Sequence, residues 1–140
     1  MAWVITQKFV YPADWGAAAS TTPTRRIRVQ VMGTSDGVTE LASQVALTLT
    51  GVRGMQGEAA ARYSIVNFQY TIGGLSSLEV LFDRAAATLV HRATNGRHEV
   101  TFDPPLRDVG TGGTGNIILN TTGASITGRF TLDMEVLVHP

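Results

Sequence analysis

From Arg129 to Pro140 an apolar residue stands on nearly every second position. Phe130, Leu132, Met134, Val136 and Val138 alternate with Thr131, Asp133, Glu135 and His139, and Leu137 is the one exception. A period of two belongs to an extended strand with one apolar and one wet face. At about 3.3 Å per residue such a strand runs for roughly 30 Å. A ribbon of that kind cannot stand alone. It needs a partner strand beside it and a second sheet under its apolar face.

The rest of the chain reads as the supplier of both. Trp3 to Tyr11 is rich in β-branched and aromatic residues and reads as a strand that Pro12 ends. Residues 12–24 are small, polar and Pro-bounded, so they read as a loop or arm carrying Trp15. Ile27, Val29 and Val31 alternate with Arg26, Arg28 and Gln30, and Val45, Leu47 and Leu49 mark a third strand over 44–50. Tyr63 to Ile72 alternates with Val66, Phe68, Tyr70 and Ile72 on one face. After Gly73-Gly74 come Leu78, Val80 and Phe82. Thr88 to Ala93 and Arg97 to Phe102 flank Asn95-Gly96, the strongest short hairpin signal because both residues tolerate positive φ. Asp103-Pro104-Pro105 is expected to end that strand, and Asn116 to Asn120 to form another. About eight to nine short strands with regular turn signals and no convincing helix predict an all-β, antiparallel sandwich, jelly-roll-like, as a single domain over 1–140.

Composition narrows the function classes. The chain has 140 residues, 44% of them hydrophobic, so one packed core is within reach and disorder is not expected. Eleven basic residues balance eleven acidic ones, and such a chain lacks the net basic face that nucleic acid demands. No apolar run approaches the ~18 residues needed to span a bilayer as a helix. Met1-Ala2-Trp3-Val4-Ile5 lacks the basic start of a secretory signal, so export by that route is not expected. Without cysteine there is no disulfide or thiolate metal site.

The chemistry-bearing patterns are weak. Gly110 to Gly115 spells G-x-G-x-x-G, but a β-branched strand follows where a phosphate site needs a helix N-terminus, so the stretch reads as a loop. His91 and His98 flank the Asn95-Gly96 turn with Glu99 beside them. Such a pair is far more often a solvated cross-strand pair than a metal site. No G-x-S-x-G elbow exists, and Asp83, Asp103 and Asp108 sit where turn-forming aspartates usually sit. No catalytic residue, metal or cofactor is expected, and the chain reads as no enzyme. Arg25, Arg26 and Arg28 form the one basic cluster. Its commoner role is to keep an edge or outer strand from sticking, and its functional role would be to meet an acidic patch on a partner. Trp15 is either folded onto the core or buried against a neighbour, and aromatic anchors dominate interface energy.

Two segments carry a resemblance. Val80, Phe82 and Asp83 follow a glycine turn. Pro104, Pro105, Asp108 and Gly110 come next, then Thr114-Gly115-Asn116-Ile117, Leu119, Thr121 or Thr122, and Gly123, ahead of the long closing strand. The pattern resembles that of small virion proteins of tailed bacteriophages, among them capsid decoration (cement) proteins of jelly-roll type. The resemblance implies a structural protein on the outer capsid surface. It would be made in the host cytoplasm, be partnered by the major capsid protein, and assemble with itself as a homo-oligomer, a trimer being the expected number. The expected mechanism is avidity, many modest contacts joined by symmetry. The alternative is a glycan-binding or host-attachment module of a tail or fibre, for which Tyr11, Trp15 and Tyr63 are a thin aromatic supply.

Overall fold

The computed structural model describes residues 3–11, 25–49 and 59–139, with backbone alone for 9–11 and 25. The predicted arm, 12–24, lies outside the described residues. Among those described there are nine strands and no helix: β1 (Val4–Tyr11), β2 (Arg25–Thr34), β3 (Gln44–Leu47), β4 (Arg62–Gly73), β5 (Ser77–Phe82), β6 (Thr88–Ala93), β7 (Gly96–Arg107), β8 (Ile117–Thr122) and β9 (Arg129–His139). They form a five-stranded sheet, β1-β2-β9-β4-β7, and a four-stranded sheet, β3-β8-β5-β6, with every pairing antiparallel. The chain crosses between sheets at every connection after β2 except β5–β6. With β1 set aside, the order is that of a jelly roll.

The C-terminal strand lies in the middle of the larger sheet, between β2 and β4. Its apolar set, Phe130 to Val138, is at most 2% exposed. Opposite it sit Ile27, Val29 and Val31 of β2 and Ile65, Phe68, Tyr70 and Ile72 of β4, all buried. From the smaller sheet Leu78, Val80, Phe82, Ile117 and Leu119 close the same core.

Three local expectations are corrected. In β4 the register shifts between Ile65 and Asn67, so Ile65 rather than Val66 faces the core. Val66 is the extra residue of a bulge, which resets the alternation. Asn95-Gly96 turns the chain without making a hairpin, because β6 pairs with β5 and β7 with β4, in different sheets. Asn95 instead uses its Oδ1 to accept from Leu75 N–H, at 3.3 Å, tying this turn to the β4–β5 crossing. Pro104 and Pro105 do not end β7, which runs on to Arg107. That strand is the sheet's edge, where a missing N–H can face away from the ladder. The two prolines lie in the offset between the Thr101–Asn67 and Leu106–Ile65 pairs.

The β4–β5 crossing depends on Gly74. Its φ is +69°, and a Cβ there would stand 2.7 Å from the backbone of Thr127 and Gly128. Only glycine meets both demands without strain.

Phe68 is fully buried and Gln69 beside it points outward. Phe68→Ala is expected to cost ~3–5 kcal/mol by urea unfolding, against within ~0.5 kcal/mol for Gln69→Ala. Equal losses at the two sites would contradict the alternation.

Candidate binding faces

Part of the sequence motif, Asp83, Asp108, Gly110 and Thr114–Asn116, meets in one joint at the end of the smaller sheet. Arg84 follows β5 and Asp108 follows β7; the Asp108 side chain is fully buried and that of Arg84 is 10% exposed. Arg84 Nε donates to Asp108 Oδ2 at 2.8 Å, while Nη2 lies 2.7 Å from the same oxygen without hydrogen-bond geometry. Gly110 N–H donates to Asp108 Oδ1, Asp108 N–H donates to the Tyr63 carbonyl, and the Asp108 carbonyl accepts from the Arg62 guanidinium. Asp83 accepts from Thr114 Oγ1 at 2.6 Å and pairs its backbone with Asn116 and Gly115. Asn116 Oδ1 in turn accepts from Leu49 N–H. The glycine loop wraps this joint: Gly113, at φ +60°, passes so close that a Cβ would lie 2.6 Å from Arg84 Cα. Its glycines are there for close packing on Arg84. The motif therefore encodes a structural joint, and its chemistry is spent inside the protein.

The outward side of the larger sheet is a polar grid. Lys8, Gln30, Asp133, Gln69 and Glu99 stand opposite one another, one from each strand. One step along, Thr6, Met32, Thr131, Thr71 and Arg97 form the next row. Two ion pairs order the grid. Arg28 forks onto Asp133, with Nε–Oδ1 and Nη2–Oδ2 both 2.7 Å, and Arg26 Nη1 reaches Glu135 Oε1 at 2.7 Å. Asn67 Nδ2 donates to Glu135 Oε2. Pairs this exposed add roughly 0–1 kcal/mol to stability; their consequence is to hold the carboxylates still. Beside Asp133 lies a shallow open cleft of about 530 Å³, walled by the Gln30, Gln69–Thr71, Thr131 and Asp133 positions and by Arg97–Glu99.

The smaller sheet is different. Val45, Ile118, Leu81 and Leu89 stand opposite one another across all four strands. Their chain neighbours Ile117, Leu119, Val80 and Phe82 belong to the core, so alternation puts this row on the outer side. Val45 and Leu89, at its ends, are 37% and 47% exposed, whereas Ile118 and Leu81 between them are covered, at 3% and 8%.

The basic cluster lies inside the larger sheet, since β2 is flanked by β1 and β9 and is no edge. Arg26 and Arg28 are paired within the chain. Arg25 is placed by its backbone opposite Val138, and Trp15 lies outside the described residues. Sequence reasoning missed the apolar row and the carboxylate partners.

The histidines fall in two places. The rings of His91 and His98 both lie against Tyr70, at 5.7 and 5.4 Å between centroids, and His91 Nε2 is 3.1 Å from Tyr70 Oη. Glu99 is on the opposite face by alternation, so it does not join them. His139 Nε2 meets Ser64 Oγ at 2.6 Å. Among the described residues no group of three or more His, Asp or Glu is placed to hold a metal ion. No described helix is long and apolar enough to cross a membrane.

No family model and no curated protein matches the chain. Among solved structures it is similar to a carbohydrate-binding module of family 29, at 12% identity and a TM-score of 0.42, over 96% of this chain and 89% of that one. Two variants of a family 29 module give TM-scores of 0.39, at 9% and 12% identity, over 96% and 97% of this chain and 86% and 91% of theirs.

Asp108→Ala strands a buried guanidinium and is expected to cost ~3–5 kcal/mol in chemical unfolding. A loss below about 1 kcal/mol would show the joint to be dispensable. Burial holds the His91 imidazole below its usual pKa, with His98 adding to the effect, and burial does the same at His139, beside Arg107 and Arg62. The folded chain thus binds these protons more weakly than the unfolded one, whose histidines titrate near ~6.5. The stability they leave intact above that pH is lost as pH falls through it. The melting temperature should be flat from pH 8 to 7 and drop toward pH 5, with a shallower drop in His91→Gln. A melting temperature that rises on acidification would refute the assignment.

Proposed function

We propose that the chain is a non-catalytic adhesion module that decorates the outer surface of a phage capsid. The observation that carries this reading is the pair of exposed apolar side chains, Val45 and Leu89, at the two ends of the cross-strand row whose inner members Ile118 and Leu81 are already covered. Strands β5 and β8 supply its two central members, and those are the strands in which the phage-type motif lies. Burying the apolar surface that Val45 and Leu89 expose against a capsid protein gains about 25 cal/mol per Å². One patch of this size is weak, and a symmetric oligomer, a trimer in this proposal, multiplies it. Trp15 and Arg25 are the proposed further anchors.

Mass spectrometry and electron microscopy of purified particles test the proposal. The chain should appear on the shell at symmetry-related sites. Leu89→Asp, outward and half-exposed, should lower its occupancy at least tenfold while the melting temperature of the free protein stays within a few degrees. Particles whose shells lack the chain would end the reading. Density at the tail or fibre instead would select a host-attachment module, the second reading, which the open polar cleft on the other sheet favours.

A further inference from the structure

We infer that the cleft on the outward face of the five-stranded sheet is a binding site for a neutral oligosaccharide, laid across the strands. The inference deepens the second reading, in that it rests on this face being a binding surface, and it does not depend on where in a particle the chain sits.

The argument begins with what is fixed. Asp133 lies on the central strand, and both its carboxylate oxygens are held by the Arg28 fork at 2.7 Å. Each oxygen keeps a further lone pair for a donor in the cleft. On either side, in the same cross-strand row, stand Gln30 and Gln69. Thr131 and Thr71 stand one step along, on β9 and β4. These two amides and two hydroxyls have no side-chain partner among the described residues. Each is both donor and acceptor. A rigid carboxylate flanked by uncommitted amides and hydroxyls matches a ligand dense in hydroxyl groups, each of which also gives and takes a hydrogen bond.

Charge selects the class further. Arg97 and Glu99 both line one wall, and the Asp133 charge is already met by Arg28. The cleft therefore offers neither a net cationic field for a phosphate or uronate nor an anionic one for a cation. A peptide would add to the free backbone of a strand edge or fill apolar pockets, whereas this cleft spans the face from β2 to β7 and is lined largely by polar side chains. Neighbouring strands lie ~4.8 Å apart. A chain lying across them meets a fresh polar side chain at each step, a spacing close to the length of one sugar ring. The cleft volume, about 530 Å³, suits a short run of rings rather than a single one. Tyr70 and His98 also line the cleft, but Tyr70 is buried and the His98 ring lies against it, so hydrogen bonds carry the affinity and it is modest.

The test uses the purified full-length chain with 15N labelling. Neutral tetra- to hexasaccharides of several linkages are titrated at micromolar to millimolar concentration, each beside its uronic-acid counterpart. The expected result is saturable shift changes confined to β2, β4, β7 and β9, with the Gln30 and Gln69 side-chain amides among them, and weaker binding of the charged counterparts. Gln30→Ala with Gln69→Ala should weaken binding at least tenfold without moving the melting temperature by more than a few degrees. Arg92→Ala, on the other sheet, should leave it unchanged. The proposal is overturned by no shift at any neutral sugar, by shifts mapping to the smaller sheet, or by tighter binding of the charged series. Failure of the chain to appear on tail or fibre would defeat the host-attachment reading while leaving a positive titration standing.

Discussion

The register of β9 is the constraint on which both faces depend. Because side chains alternate every residue, a slip of one position against β2 would turn Asp133 and Glu135 into the core and Leu132 and Met134 into water. Burial on one side forbids it. The arginines of β2 mark the same register from the other side. Arg28 lies opposite Glu135 yet forks onto Asp133, and Arg26 lies opposite Leu137 yet reaches Glu135. Each cation thus takes the diagonal neighbour, the second-nearest position across an antiparallel pair. Leu137, the break in the strand's alternation, falls where no carboxylate is needed because Arg26 is already served.

The Arg84–Asp108 pair does comparable work at the end of the smaller sheet. Taking two ions out of water is costly, and the cost is offset only when the remaining polar atoms are met. Here Asp108 has partners from Gly110, Tyr63 and Arg62, while Arg84 also donates to the Gly112 carbonyl. The pair connects the chain after β5 to the chain after β7, which lie in different sheets. It therefore ties the two layers together where neither sheet can do so through its own ladder. Glycine is demanded around it because backbone, not side chain, must cover the guanidinium.

Much of the layer structure was legible in the sequence, and the reason is periodicity. Phe130 to Val138 and Ile27 to Val31 could be assigned to one face without knowing their partners. The pairing was not legible. Asn95-Gly96 specifies a tight reversal but not which strands hydrogen-bond, and here each flanking strand finds a better partner in its own sheet. Nor were the partners of Arg26 and Arg28, since their carboxylates come 109 and 105 residues later. The apolar row was hidden differently. Ile117-Ile118-Leu119 and Val80-Leu81-Phe82 are continuous apolar runs, in which alternation cannot be seen and both faces look buried. Only the cross-strand register separates Ile118 and Leu81 from the core residues on either side of them.

The edges explain why faces, and not strands, are left to meet a partner. An open strand edge invites another chain to add to the sheet unless it is blunted. The β7 edge carries Pro104 and Pro105, two positions with no N–H, inside an offset in its pairing. The β1 edge is interrupted between Phe9 and Tyr11, β6 between its pairs with Val80 and Leu81, and β3 is only four residues long. All four edges are thus shortened or irregular, so strand addition has little straight ladder to extend. What remains are two faces of different character on opposite sides of one core, a polar grid and a face whose apolar exposure lies at Val45 and Leu89. A module held by the apolar side necessarily turns the polar grid outward, so a partner for one face does not compete with a ligand for the other.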